Sequence, residues 1–462
     1  MSPSCTRAPS GTCKGCSGRC STQTSSSRGG PRSRPSSRPD RMPRRHGAGA
    51  AGLAALGVLY WTAHAMMRPL IGTYVLSLGG TAVEASIALA AFSIFPTILA
   101  VLIGGFVDNW GGRPILIVGG VLMVAGGTIM LIPTLTAVIV SQVILGLGTL
   151  CVWVSLQTSI TTGAGDESRD DRARRIATFT LFVSFGQMVG PALGGALESF
   201  FSYAVAYGVY AALGLTLLIV AIARAPKTAV RRLGKKLPII RPYAEAFTLM
   251  RNPAVVIAVL VSFTALMLHD IRSAWQPLLL HGAGLEQWQI GIVISVSAVA
   301  GFAARPFFAP WLRVFGVPVF VGLVLVVGAT TAMMATIAPG NMTYLLAVAA
   351  VNGLALGFAQ PLSLTLLSEE VPKSQLGIAS GLRSTGNQAA LLASPAGFGG
   401  VSAFAGLSAA FLVVGGAAAA VGVLCAVLLH FHRPQGSDAS IDLAESELLD
   451  DIVEEPPPAS RQ

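Results

Sequence analysis

About twelve apolar stretches, each long enough to cross a bilayer as a helix, recur along the 462 residues. They fall near 48–78, 84–106, 114–133, 135–158, 175–200 and 203–223. After a polar break they resume near 253–281, 287–309, 317–338, 342–366, 376–395 and 404–429. A hydrocarbon core of roughly 30 Å takes about 20 apolar residues as a helix. Lipid offers the backbone no hydrogen-bond partner, so each stretch must satisfy its own amides and carbonyls. Composition agrees, with 53% hydrophobic and 11% charged residues, where a soluble domain carries about 25% charge. The expected fold class is all-α integral membrane, with lipid as a partner.

The net charge of +10 is distributed as topology rather than as a nucleic-acid surface. Lys and Arg fall in the N-terminal tail, at Arg113, at 169–175 and 224–251, around Arg313, and at Lys373, Arg433 and Arg461. The alternate loops, around Gly79, Pro133, Ser202, Gly284, Gly340 and Ala403, contain neither. That is the positive-inside pattern for an even number of spans with both termini cytoplasmic. A bacterial inner membrane is the expected location, and no nucleic acid is expected as a partner.

Residues 1–47, rich in Ser, Arg, Pro and Gly, form a basic tail that cannot build a core. The tail has no apolar signal, so the first span serves as its own insertion signal. An Arg- and Ser-rich, acid-poor leader also fits an organellar transit peptide, although its Pro and Gly argue against an amphipathic helix. Translation from Met42 is the preferred reading. Cys13-x-x-Cys16, with Cys5 and Cys20 nearby, invites a zinc site, but no second pair or apolar set accompanies it. Cys151 and Cys425 read as small packing residues. Residues 225–252, with Arg231, Arg232, Lys235 and Lys236, form a cytoplasmic linker between halves 48–224 and 253–432. The tail 433–462 is acidic; Leu448, Leu449, Ile452 and Val453 are spaced for a short amphipathic helix, more simply solvated than docked on the linker.

The halves look like repeats. Arg68-Pro-Leu-Ile-Gly-Thr-Tyr-Val-Leu-Ser-Leu-Gly-Gly80 matches Arg272-Ser-Ala-Trp-Gln-Pro-Leu-Leu-Leu-His-Gly-Ala-Gly284 in length and at both ends. Gly104-Gly-Phe-Val-Asp108-Asn-Trp-Gly111-Gly-Arg113-Pro114 joins the second and third spans, and Ala309-Pro-Trp-Leu-Arg313-Val-Phe-Gly316 is its decayed copy. Gly104 suits close helix approach, Gly111 and Gly112 a tight turn, and Asp108 a helix cap or a pair with Arg113. The loop resembles the G-x-x-x-D-R-x-G-R-R loop of the major facilitator superfamily, with Asn109 where that family usually has Arg. The resemblance, covering about residues 48–432, implies twelve transmembrane helices in two pseudo-symmetric six-helix bundles rocking around a central cavity. It also implies that Gly104, Asp108, Gly111 and Arg113 form a gating latch.

In the fifth span, Gly186-Gln-Met-Val-Gly190-Pro191-Ala-Leu-Gly194-Gly195 matches G-x-x-x-G-P-x-x-G-G, which resembles the signature of proton-coupled exporters in this family. Small residues four apart allow close helix contact, and Pro191 frees a carbonyl and bends the helix. Such exporters often carry an Arg in the fourth span where this chain has Gln142.

Ionisable groups inside a membrane are costly, so they become functional candidates. Tyr60, His64 and Arg68 lie four residues apart on one face of the first span. The seventh span carries His269, Asp270 and Arg272, and Asp270 is the carboxylate placed nearest mid-membrane. A buried carboxylate with a cation nearby can take and release a proton, which makes Asp270 the candidate coupling residue, paired with Arg68 or Arg272. The resemblance implies a cavity lined by the first, fourth, seventh and tenth spans. Tyr60, His64, Arg68, Trp153, Gln157, Trp275, Asn352 and Gln360 are the substrate-binding candidates. Arg305 and Arg383, nearer the cytoplasmic ends, read as anchors, with Arg383 able to close an inner gate.

Enzyme chemistry finds no support: no phosphate loop, no nucleophile elbow, no metal-binding helix and no cofactor motif. The expectation is a secondary transporter, a monomer that exports a small organic molecule in exchange for protons. The alternatives are a symporter or uniporter importing a sugar or carboxylate, and a transporter-like receptor or scaffold.

Overall fold

The structure, a computed structural model, describes residues 46–162, 169–225, 248–371 and 376–431. The N-terminal tail with its four cysteines and Met42, most of the linker, and the acidic tail lie outside these residues. All regular structure among the described residues is helical. The first half holds α1 (His46–Ser77), α2 (Ala82–Trp110), α3 (Gly112–Ile129), α4 (Leu135–Thr162), α5 (Arg169–Phe200) and α6 (Tyr203–Arg224). The second begins with α7 (Pro253–Asp270), a π-helical turn (Ile271–Trp275) and α8 (Gln276–Gly282). It continues with α9 (Gln287–Ala304), α10 (Phe308–Met334), α11 (Met342–Gly357), α12 (Ala359–Glu370), α13 (Leu376–Ala405) and α14 (Leu407–Phe431). Nine helical segments among the described residues are long and apolar enough to cross a membrane. One of them, Gln287–Met334, takes in both α9 and α10, while α1 and α13 are not among the nine.

Backbone geometry repeats between the halves. Gly79 (φ 81°) and Gly284 (φ 91°) end the first long helix of each half, and Gly111 (φ 86°) and Gly316 (φ 70°) break the chain after the second. All four sit in the left-handed region that favours glycine. Capping boxes follow the first pair, Thr81 with Glu84 and Glu286 with Gln289, so α2 and α9 start alike. The decayed copy of the charged loop has therefore lost its acid while keeping its turn. The repeats differ at one point. Gly79 follows Arg68 by eleven residues, whereas Gly284 follows Arg272 by twelve, and the π turn at Ile271–Trp275 absorbs the extra residue.

Glycines also set the helix crossings. A methyl on Gly146 would strike the Phe92 carbonyl, and one on Gly353 would strike the Ser297 carbonyl, so α4 crosses α2 as α11 crosses α9. Gly104 does not serve the close approach expected of it: a methyl there would meet nothing within 4 Å.

Between the halves, α5 packs along α9, α2 packs on α13, and α1 meets the π turn and α8. The apolar core is continuous across the halves on the Gly79/Gly284 side, where Leu70, Ile71 and Tyr74 join Ile271, Leu278 and Ile294. Towards the Gly111/Gly316 side it separates. Ile103, Val107, Ile115 and Leu150 form one cluster, and Val255, Val261, Phe320, Leu362 and Leu366 another. The halves thus share an apolar core at one end, while towards the other they meet through polar contacts such as Arg305 Nη1 donating to Ser184 Oγ (3.0 Å).

Candidate functional site

At the end with the shared core a buried ion pair ties the halves. The Arg68 guanidinium donates from Nε (3.1 Å) and Nη2 (2.5 Å) to Oδ1 of Asp270. Only 5% of Arg68 and 2% of Asp270 is exposed, so neither charge has water as a substitute partner. Removing one member of such a pair costs about 3–5 kcal/mol, because the other is left charged in a low dielectric. Phe92 of α2 lies under the guanidinium, with its ring centroid 5.2 Å from Cζ. Arg272 is not the partner of Asp270. Its Nη1 donates to the Ile294 carbonyl (3.2 Å) and its Nη2 lies 3.2 Å from Nδ1 of His269. Two residues apart on a helix, the two side chains point to opposite faces, Arg272 towards α9 and Asp270 towards α1.

Beneath the pair runs an aromatic layer. Tyr60 stacks on His64 and on Trp153, each at 5.9 Å between centroids. Trp61 meets Trp153 and His64 edge-on at 5.3 and 5.4 Å, and Phe92 lies 5.6 Å from His64. The expected stripe of Tyr60, His64 and Arg68 is contiguous in space, and Trp153 of α4 joins it. Trp61 and Phe92 were missed in the sequence. Trp61 falls off the four-residue spacing of the stripe, and Phe92 is one of many apolar residues in its span. Nε1 of Trp61 and Nδ1 of His64 are buried without hydrogen-bond partners.

The other candidates lie elsewhere. Trp275 is fully buried against Phe398 of α13 (4.7 Å), in the core that spans both halves. Asn352 donates to the Gly328 carbonyl (3.0 Å) and to Oγ1 of Thr331 (2.8 Å). With Arg272 and Gln276 it lines a cavity of about 10 Å³, close to the least volume that holds a water. Gln157 of α4 and Gln360 of α12 are exposed, and Gln360 accepts a hydrogen bond from Nη1 of Arg383 (2.9 Å). Gln142 is fully buried, with neither amide atom hydrogen-bonded.

The two motifs divide by contact. Arg113 donates to the Ile222 carbonyl of α6 (2.6 Å), tying the Gly111 turn to its own half, while the side chain of Asp108 lies outside the described atoms. In α5, methyls on Gly186, Gly190 and Gly194 would press on the α1 backbone from Val58 to Met66. Pro191 and Gly195 face the other way: the Pro191 carbonyl abuts Gly291 and Gly195 abuts the Gln287 carbonyl, both on α9. Ser295 Oγ accepts from the Ala192 amide (3.1 Å) and Ser199 Oγ from the Trp288 amide (3.0 Å) along the same seam. The motif is therefore a two-sided spacer whose second side lies on the junction of the halves.

Two repeated halves of membrane-spanning helices, tied by a buried ion pair, define the class of secondary membrane transporters. The sequence profile of the Major Facilitator Superfamily matches residues 53–337 and 277–447, and the chain belongs to that family. Solved structures agree in fold. A point mutant of the nucleoside transporter NupG superposes with a TM-score of 0.71 at 15% identity, covering 83% of this chain and all of that one (100%). A peptide transporter POT in complex with sulfate gives 0.67 at 17% identity over 82% of this chain and 94% of that one. A POT family transporter in complex with 5-aminolevulinic acid gives 0.67 at 11% identity over 82% and 95%. No curated protein matches the sequence.

Proposed function

We propose that this transporter exports a small organic molecule in exchange for protons, with Asp270 as the proton-carrying group. The Arg68–Asp270 pair carries the reading. Positive-inside charge places the Gly111/Gly316 side in the cytoplasm, so the pair seals the outer face of an inward-open transporter. While Asp270 is ionised the empty protein is held closed outside. A proton on Asp270, or a substrate that draws Arg68 away, removes the partner and frees the halves to exchange facing states. An antiporter needs such a lock, because an empty carrier that exchanges freely leaks its coupling. A symporter needs the empty carrier to return. By linkage, substrate and proton must change each other's affinity by the same factor. The aromatic layer of Tyr60, Trp61, His64 and Trp153 supplies a surface for the body of the substrate.

The test is proton movement in inside-out vesicles, followed with a pH dye across drugs, sugars and carboxylates. A substrate should dissipate the acidic interior, and Asp270→Asn should abolish that response. Compounds that acidify the interior as they enter, or cross with no proton signal, would overturn export by antiport. Import by symport is the second reading, favoured by the uncharged Gln142 where exporters often carry Arg.

A further inference from the structure

Arg383, a half-buried arginine of the membrane region, has neutral partners only. From α13 it donates through Nη1 to Oε1 of Gln360 on α12 (2.9 Å) and to Oγ of Ser262 on α7 (3.3 Å). Ser262 in turn donates to Oδ1 of Asn387, one turn along α13 (2.6 Å). The direction of the first bond is fixed by chemistry: a guanidinium only donates, so Gln360 must present its oxygen. Ser262 accepts from Arg383 and, with the Asn387 amide oriented as it is, donates to that oxygen. Each amide oxygen is thereby engaged inside the cluster, and the hydroxyl both accepts and donates within it.

What the cluster offers outward is donors. Nε of Arg383 is buried without a partner, and with both amide oxygens engaged, the amide nitrogens of Gln360 and Asn387 are the ends left to donate outward. Among the described residues the salt bridge is Arg68–Asp270, and no carboxylate neutralises Arg383. A cation held by neutral groups at membrane depth is costly without a counter-charge. Gln360 is exposed, and the cluster lies where the two apolar cores have separated, on the side that loop charge assigns to the cytoplasm. A planar guanidinium flanked by amide N–H groups matches the oxygens of a carboxylate or phosphate.

We propose that Arg383, Gln360 and Asn387 form the docking site for an oxyanion group, and that the transported substrate is accordingly an organic anion. The site stands on geometry alone; the substrate class rests on the transport reading above.

The experiment is thermal unfolding of the purified full chain in neutral detergent, titrated with succinate, benzoate or inorganic phosphate against sodium chloride at equal ionic strength. At least one organic acid should raise the midpoint saturably. Arg383→Gln should weaken that binding about 10- to 100-fold, the usual worth of a charged hydrogen bond, and Arg383→Lys should keep part of it. Asn387→Ala, which leaves the arginine in place, should weaken it by a smaller factor, and Arg313→Gln, in the distant loop copy, should leave it unchanged. If no organic acid acts, if only inorganic phosphate or added phosphatidylglycerol does, or if Arg383→Gln and Asn387→Ala bind as the parent, the proposal falls. Vesicle flux separates the two readings. Neutral solutes that move protons while organic acids neither bind nor cross sink the anion site alone. Organic acids that bind through Arg383 while no solute crosses sink the transport reading and the substrate class, leaving the docking site.

Discussion

Asp270→Asn should loosen the sealed face by a predictable amount. The substitution keeps the shape and one oxygen near Arg68 but removes the charge, leaving a guanidinium that is 5% exposed without a counter-ion. The cost is about 3–5 kcal/mol for breaking a buried pair, and the retained oxygen argues for the lower end. About 3 kcal/mol is roughly two powers of ten in an equilibrium constant. Leu278, 4% exposed, packs beside Gly72 at the seal, so a cysteine there reacts with a membrane-impermeant maleimide only when that face opens. The tail cysteines are first replaced by serine; Cys151 and Cys425 are buried and stay. In the Leu278→Cys background, Asp270→Asn should raise the labelling rate about 100-fold, the same two powers of ten. Replacing both partners, Arg68→Met with Asp270→Leu, should return the rate most of the way to the parent, since two apolar groups leave no charge stranded. Equal labelling with and without Asp270→Asn, or a double replacement as fast as the single one, refutes the lock.

Three further outcomes follow from the packing. Gly146→Val and Gly353→Val each drive a side chain into a facing backbone carbonyl, so each should cost about 1–3 kcal/mol or more in detergent melting; wild-type melting would contradict the crossing geometry. Gly316→Ala forces a side chain into φ 70°, ψ 159°, a conformation essentially restricted to glycine, and should cost about 1–3 kcal/mol, whereas Gly104→Ala, with open space around it, should be neutral or slightly stabilising. Trp153→Ala removes a face that both Tyr60 and Trp61 pack against, so it should cost about 3–5 kcal/mol of stability and raise the KM of an aromatic substrate in the vesicle assay.

Much of the architecture was legible in the chain because the bilayer leaves so few solutions. Apolar length, alternating loop charge and the glycine-bounded repeat each follow from local chemistry, and helices form close to where those signals stand. The exceptions are local breaks. Residues 310–315, read as loop, are helical up to Gly316; the tenth stretch breaks at Phe358; and the eleventh runs ten residues beyond its expected end, to Ala405. Helix interruptions depend on what packs beside them, which a hydropathy pattern does not record.

The site divides the same way. Sequence by itself determined that Tyr60, His64 and Arg68 share a face, because a helix repeats every 3.6 residues, and that Asp270 would need a cation. Only the tertiary structure decided which cation. Arg272 bonds the Ile294 carbonyl of α9, which leaves Asp270 to Arg68, 202 residues away along the chain. The same long-range packing buried Trp275 against Phe398 and Asn352 against Thr331, and joined Ser262, Gln360, Arg383 and Asn387 from three helices into one hydrogen-bonded cluster. A pattern along the chain specifies which face a residue occupies; which helix that face meets is set by how whole helices cross, and here glycines such as Gly146 and Gly353 set the crossings.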